Sequence, residues 1–313
     1  MSHCGGGSGP MTRHGGGGGP LSRSGGRGDP MSPAPEGTVG PASPLAVREL
    51  HELDDLEAVA ALFERIWGSP PGGSPVSPEV MRAFSHSGNY VAGAYEEDRL
   101  VGAAVGFFAA PAGEALHSHV TGALPGRAAG LALKLHQRDW ALARGLSRIT
   151  WTYDPLVRRN AHFNLTKLGA RPVEYLPRFY GDMADAINDG DESDRALISW
   201  DLTAGPAPAT AAPAGAATAL AVRGGRPAVA RDLDARTLLV EVPADIEGLR
   251  RTDPGAAKEW RLALREVLGG LLADGARVTG FHDRAAYVVE RTSSAAQQPS
   301  SPVAQQPSSP AAQ

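Results

Sequence analysis

Gly126-Arg127-Ala128-Ala129-Gly130-Leu131-Ala132-Leu133-Lys134 runs from a short glycine-containing turn straight into a helical pattern. Such a junction leaves the first backbone N–H groups of the helix without intrahelical acceptors, at the positive end of the helix dipole. The small residues around them let a ligand approach closely. The stretch is therefore read as an anion-binding helix start suited to a phosphate.

The flanks place that turn in a larger unit. Ala115-Leu116-His117-Ser118-His119-Val120-Thr121-Gly122 reads as a strand leading into it. The helix is predicted from about Ala128 to Arg144, with Gly145 as its stop. At about 100° per residue, Leu131, Ala132, Leu133, Leu135, Trp140, Leu142 and Ala143 fill one arc, and Lys134, Gln137, Arg138 and Arg144 fill the other. His136 and Asp139 fall in the apolar arc, where a hydrogen-bonded pair satisfied in the core is expected. Arg148-Ile149-Thr150-Trp151-Thr152-Tyr153 is the next strand, ended by Asp154-Pro155. Strand, helix and strand in this order imply a parallel pair.

Upstream, Val47 to Leu50 reads as a strand, and Asp54 with Glu57 resembles a capping box for a helix carrying Leu56, Val59, Phe63, Ile66 and Trp67. A brief helix is predicted around Pro78 to Phe84. Tyr90–Tyr95 and Leu100–Phe108 are separated by a hairpin-length polar turn, which predicts antiparallel neighbours. Downstream come a helix from Asn160 to Lys167 ending at Gly169, extended residues around Arg171 to Tyr180, an acidic stretch from Asp182 to Asp194 and a strand Leu197–Leu202. The predicted class is α/β, with a mixed, mostly antiparallel twisted sheet flanked by helices.

Residues 1–43 are dominated by Gly, Ser and Pro, and 294–313 repeat Gln-Gln-Pro-Ser-Ser-Pro, so both are expected to be disordered tails. Met11 and Met31 leave a later start open. Residues 44–203 form the main domain, 204–217 an Ala/Pro-rich linker, and 218–293 a small α/β C-terminal extension. At roughly 75 residues that extension is small for an independent core, so it is expected to pack on the first domain or complete a shared sheet. Its helix takes Asp253 as N-cap and Pro254 as first residue, with Trp260, Leu264, Val267, Leu268 and Leu271 on one face.

The formal net charge of −4 and the lack of a basic patch argue against a nucleic-acid partner. No stretch reads as a secretory signal or membrane span, so the expectation is a cytoplasmic protein without membrane association. The single cysteine, Cys4, excludes an internal disulfide and a cysteine-based metal cluster, and no metal is expected.

The element order, with Arg127-Ala128-Ala129-Gly130-Leu131-Ala132 entering the long helix and Asn160 through Lys167-Leu168-Gly169 following the next strand, resembles the Gcn5-related N-acetyltransferase (GNAT) superfamily. More narrowly, Trp151-Thr152-Tyr153-Asp154-Pro155-Leu156, Arg159-Asn160-Ala161, Phe163-Asn164 and Lys167-Leu168-Gly169-Ala170 resemble a bacterial branch of predicted acetyltransferases with a C-terminal extension. The resemblance implies acetyl-CoA, or another acyl-CoA, as co-substrate. Its cradle would comprise Val120, Gly122, Gly126, Arg127, Ala128, Ala129, Gly130, Leu131 and Ala132, with Asn160, Phe163, Asn164 and Lys167 closing the cleft. It also implies direct attack by the amine of a small-molecule acceptor, without a covalent enzyme intermediate. Two departures stand out. The turn is shorter than usual in the family, and Leu165 occupies the position where many members carry a tyrosine that protonates the departing thiolate.

Acyl transfer from a thioester requires a neutral amine, a polarised carbonyl and a stabilised leaving group. His119 and His117, on one face of their strand by alternation, are candidate bases, weighed against histidines simply hydrogen-bonded in the sheet. Asp154 lies at the carboxyl end of its strand, where open α/β sheets bind ligands, although Asp-Pro is also an ordinary strand end. Tyr175 and Tyr180 are candidate substitutes for the acid, or core aromatics with tethered hydroxyls. The alternative function is a non-catalytic acyl-CoA-binding or sensing module. A homodimer is an assembly left open.

Overall fold

The computed structural model describes residues 45–68, 72–181, 191–204 and 214–292. Both expected tails, the acidic stretch after Gly181 up to residue 190 and linker residues 205–213 lie outside the described residues.

The first sheet is built from β1 (Leu45–Glu49), β2 (Tyr90–Glu96), β3 (Arg99–Ala109), β4 (Ala115–Ala123), β5 (Arg148–Tyr153), β6 (Arg171–Leu176) and β7 (Arg195–Asp201), in the order β1-β2-β3-β4-β5-β7-β6. Every neighbouring pair is antiparallel except β4–β5, the parallel pair implied by the intervening helix. The mixed, mostly antiparallel sheet flanked by helices is thus the one expected.

α1 (Leu53–Trp67) and α2 (Pro78–His86) cover one face. Leu56, Val59, Leu62 and Phe63 of α1 pack there on Val91, Ala103 and Val105. Each such side chain removed from water contributes roughly 1.5–3 kcal/mol. α3 (Ala129–Leu142) lies on the other face, where Leu133, Trp140 and Ala141 join Tyr90, Val101 and Leu116. Its close seat needs a small residue beneath it. A Cβ on Gly102 would lie 3.1 Å from Leu133 and 3.2 Å from Ala129.

Several local expectations are corrected. α1 begins at Leu53 with Glu52 as N-cap and no side-chain cap, so the Asp54/Glu57 capping box does not form. Asp55 instead takes two 3.0 Å hydrogen bonds from Arg48 of β1. On α3, Lys134 and Gln137, read as polar-face residues, are 5% and 0% exposed, while Leu135 is 46% exposed. The buried set Ala129, Leu133, Lys134, Gln137, Trp140 and Ala141 recurs at three- and four-residue intervals, so the wheel was rotated by part of a turn. His136 does not pair with Asp139. It meets the Tyr90 hydroxyl at 2.9 Å, and the Asp139 side chain is 75% exposed. The helix read from Asn160 starts two residues earlier, as α4 (Arg158–Ala161), and widens into a π-helical turn over His162–Lys167.

A second, five-stranded sheet follows. It contains β8 (Ala217–Arg223), β9 (Arg226–Val229), β10 (Thr237–Glu241), β11 (Arg277–His282) and β12 (Ala286–Glu290), in the order β11-β12-β10-β8-β9. Strands β8 and β9 were not anticipated from the sequence. α5 (Ile246–Thr252) and α6 (Pro254–Leu264) precede a π-helical turn, Arg265–Gly269, and α7 (Gly270–Ala273). The Asp253 side chain accepts from the Ala256 amide at 3.0 Å, and Pro254 opens α6 as read. One continuous apolar cluster links Ile149, Tyr153 and Tyr175 to Trp260, Leu264 and Tyr287. Within it the Tyr153 and Tyr287 hydroxyls meet at 3.1 Å, and Tyr287 also donates to the Pro155 carbonyl at 2.6 Å.

Candidate functional site

The site forms where β4 and β5 part. They pair only from Ala115↔Arg148 to His117↔Thr150. Beyond that, β4 continues to Ala123 along β3 while β5 continues to Tyr153 along β7. Among the described residues the edge of β4 facing away from β3 has no strand partner past His117, so its backbone groups open into a fork. A register shift places two β4 residues, His119 and Val120, where β3 supplies one, a β-bulge at the mouth of that fork.

The turn that closes the top of the fork adopts an uncommon backbone. Gly126 and Ala128 both have left-handed φ, 80° and 51°. For alanine this conformation costs about 1–2 kcal/mol. The Ala128 carbonyl then accepts from the amides of both Leu131 and Ala132, at 3.0 and 3.1 Å. The N–H groups of Ala129 and Gly130 are left without an acceptor among the described residues. A Cβ on Gly130 would meet nothing within 4 Å, so the space beside Gly130 is open, whereas Ala129 is only 1% exposed. Arg127, in contrast, is committed. Its Nε donates to Glu96 at 2.9 Å, and Glu96 also accepts from Arg99 at 2.9 Å. Of the other residues assigned to the cradle, Val120 packs toward α1, and Gly122 is buried so tightly there that a Cβ would lie 2.7 Å from Trp67. Leu131 packs against the core and Ala132 is half-buried.

In α4 and the π-helical turn after it, Asn160 is half-buried, Asn164 is buried, and Lys167 is exposed. Phe163 and Lys167 line a cavity of about 560 Å³ between α4 and the second sheet's unit, shared with Arg158, Arg159, His162 and Arg284. Leu165 is buried in the core.

Two faces of the fork carry different chemistry. On one, His117 and His119 lie with ring centroids 6.5 Å apart, both against Phe107. His117 Nδ1 meets Thr150 Oγ1 at 3.1 Å. Two residues on, Thr152 Oγ1 meets the Tyr180 hydroxyl at 3.0 Å, so Tyr180 shares this face. Burial pushes the His117 imidazolium down to about 4, helped by the nearby His119 and Lys134 charges, and burial also lowers His119. Both rings are neutral at neutral pH.

The opposite face holds a buried amine, Lys134, which helical periodicity alone assigns to the polar arc. Lys134 Nζ donates to Ser118 Oγ at 2.8 Å and to Gln137 Oε1 at 3.3 Å, and stands 4.0 Å from the Trp151 ring centroid. Burial pushes its ammonium down to about 7. Gln137 Nε2 is buried with no hydrogen-bond partner among the described residues. The signal that could have found Lys134 is the interval set running from Ala129 through Leu133 and Gln137 to Ala141, which puts it on the inward stripe.

Asp154 and Tyr175 belong elsewhere. Arg261 grips both Asp154 oxygens at 2.9 Å, and Arg250 and Arg261 also bind Asp191 at 3.0 and 2.9 Å. Burial raises the Asp154 carboxyl, but the Arg261 and Arg250 guanidiniums outweigh it and hold the group well below the usual carboxylate range. With its oxygens engaged in this way, Asp154 is poorly suited to act as a base. Tyr175 is buried and donates to Asp194 at 2.8 Å, while Arg265 holds the same carboxylate. Burial, with Asp194 adding to it, pushes the phenol well above its ordinary value. The structure therefore groups His117, His119 and Tyr180 around the fork and separates Asp154 and Tyr175 from them.

No family model and no curated protein matches this sequence. Among solved structures, the chain is similar to an N-acetyltransferase from Staphylococcus aureus at 14% identity, covering 51% of this chain and 100% of that one with a TM-score of 0.42. It is similar to a putative acetyltransferase from Salmonella typhimurium with its cofactor acetyl-CoA at 16% identity, covering 54% and 100% with a TM-score of 0.41. An aminoglycoside 6'-N-acetyltransferase from Enterococcus faecium is similar at 16% identity, covering 51% and 99% with a TM-score of 0.39.

Proposed function

We propose that this protein is an acyl-CoA-dependent N-acyltransferase that moves an acetyl or other acyl group to the amine of a small molecule by direct attack. The observation that carries the reading is the pairing of two features: the acceptor-free Ala129 and Gly130 amides at the start of α3, with open space beside Gly130, and the edge of β4 that runs past His117 into the fork without a strand partner among the described residues. A phosphate suits the first, because amide donors and the helix dipole both favour negative charge there. An extended, amide-containing arm suits the second, because open strand edges pair with extended chains.

In this reading Ala128, Ala129 and Gly130 bind the pyrophosphate, and β4 from Ser118 to Gly122 lines the arm. Asn160, Phe163, Asn164 and Lys167 flank it from α4 and its π-helical turn. The bound acyl-CoA supplies a thioester carbonyl open to nucleophilic attack. His119, neutral and beside the bulge, takes the proton of the attacking amine, and His117 and Tyr180 border the acceptor. The narrower family branch, with its C-terminal extension, belongs to the same proposal.

CoA titration by calorimetry and thiol release from acetyl-CoA over a panel of primary amines test this. Saturable binding with amine-dependent release is expected. Binding without release on any acceptor would favour an acyl-CoA-sensing module, and no binding would remove both readings. Gly130→Glu, which points a carboxylate into the open space beside the amides, should abolish CoA binding while leaving the fold intact.

A further inference from the structure

A buried ammonium is normally paired with a carboxylate, since the cost of removing it from water is otherwise several kcal/mol. Lys134 has no carboxylate within ion-pair distance among the described residues, and its three neighbours are the Ser118 hydroxyl, the Gln137 carbonyl and the Trp151 ring. These neighbours mark its position. Ser118 follows His117, the last β4 residue paired with β5, and Trp151 follows Thr150, the last β5 residue paired with β4. The amine therefore lies directly under the point where the strands separate. Beside it, Gln137 Nε2 is a buried donor with no acceptor among the described residues.

We propose that Lys134, acting through Ser118 Oγ, delivers the proton to the thiolate that leaves when the acyl group is transferred at the β4–β5 fork. This rests on the acyltransferase reading and fills the vacancy left by Leu165. As the new C–N bond forms and the C–S bond breaks, the C–S electron pair leaves with sulfur. Lys134 gives a proton to Ser118, and Ser118 gives its own to sulfur. The acceptor nitrogen loses one proton to His119 or solvent, and Lys134 regains one from solvent, so the net change is one proton from amine to thiol. An amine with a value near 7 is a stronger acid than an ordinary thiol, so the transfer runs downhill. Lys134 acts through another group, which makes it a positioning residue.

Several titratable groups on the elements around α3 have partners of their own. His117 on β4 senses the Lys134 charge. Glu49 on β1 accepts from Trp140 at 2.9 Å, Tyr90 on β2 meets His136, Arg99 on β3 pairs with Glu96, and Tyr153 on β5 meets Tyr287.

The test uses the full chain with CoA and with S-methyl-CoA, whose ultraviolet difference spectrum reads the thiolate of bound CoA. An ammonium beside a thiol favours the thiolate. Below pH 7, where Lys134 is charged, bound CoA should therefore carry up to about tenfold more thiolate in the wild type than in Lys134→Met, and in Lys134→Arg, charged at every pH, that excess should persist above pH 7. CoA affinity should change by less than about threefold in Lys134→Met, whereas thiol release from acetyl-CoA to hydroxylamine should fall at least about tenfold there and in Ser118→Ala. A merely structural lysine would leave the thiolate titration unmoved. If CoA binds wild type and Lys134→Met with the same thiolate titration, the inference is overturned while the acyltransferase reading stands. If CoA does not bind the wild type, that reading itself fails and takes this inference with it.

Discussion

Arg261 on α6 holds Asp154 at the end of β5 through two parallel hydrogen bonds of 2.9 Å, and both side chains are buried. This bidentate pair ties the second sheet's unit to the strand that forms one arm of the fork. Removing one member leaves the other charge buried without its partner. Asp154→Ala and Arg261→Ala should each lower stability by about 3–5 kcal/mol, read as a shift in the urea midpoint at constant slope.

The same carboxylate makes the fold sensitive to acid. Its folded value lies below the unfolded one, so its contribution is fully present above the unfolded carboxylate value and is lost as pH falls toward the folded value. Stability should drop steeply below about pH 4, where unfolded aspartates begin to protonate. Asp154→Asn, measured in the same denaturation series, should show a shallower acid limb.

Lys134 predicts a second rise of stability with pH, on the alkaline side. Its folded value of about 7 lies below the 10.5 of an exposed lysine, so between these values the unfolded chain binds more protons and stability rises with pH. Lys134→Met should remove that rise and stabilise the protein most at and below pH 7. An unchanged slope above neutrality would show that the amine keeps an ordinary affinity for protons.

Ala128 pays for its left-handed backbone with strain that glycine would avoid. Ala128→Gly should raise stability by roughly 1 kcal/mol, seen in thermal or chemical denaturation.

If His119 is the base, the acid limb of kcat/KM falls below pH 6.5, since burial lowers the imidazole from that value. His119→Ala should reduce kcat by roughly 10²–10⁴-fold and erase that limb. A variant with wild-type kcat and an intact limb would move the role to another group.

A fragment of residues 44–203 should not fold stably alone. Asp154 would lose Arg250 and Arg261, Tyr153 would lose Tyr287, and Asp194 would lose Arg265. Far-ultraviolet circular dichroism of the fragment against the full chain checks this, and a cooperative transition in the fragment would contradict it.

Most of the fold was legible because its signals are local. Alternation in Arg148–Tyr153, the hairpin turn after Glu96, and Asp253-Pro254 at a helix start each depend on neighbours within a few residues. Strands β8 and β9 escaped because Ala217–Arg223 and Arg226–Val229 are short and Ala-rich or interrupted by Pro, with little periodic signal of their own. The capping box at Asp54 failed because Asp55 found a stronger partner in Arg48, from a strand seven residues away.

The candidate site divides along the same line. From the sequence alone came the order of elements, the parallel strand pair around α3, the turn at Gly126–Gly130 and the two histidines on one face of β4. Those features follow from backbone periodicity and from residues close in the chain. Only tertiary structure decided that β4 and β5 part after His117, that Lys134 points beneath that fork, and that Asp154 and Tyr175 are spent on Arg261 and Asp194. Periodicity specifies which residues share a face. Which face is covered, and by which distant charge, depends on how elements pack across the chain, and that packing sets the burial and pairing from which each group's proton affinity follows.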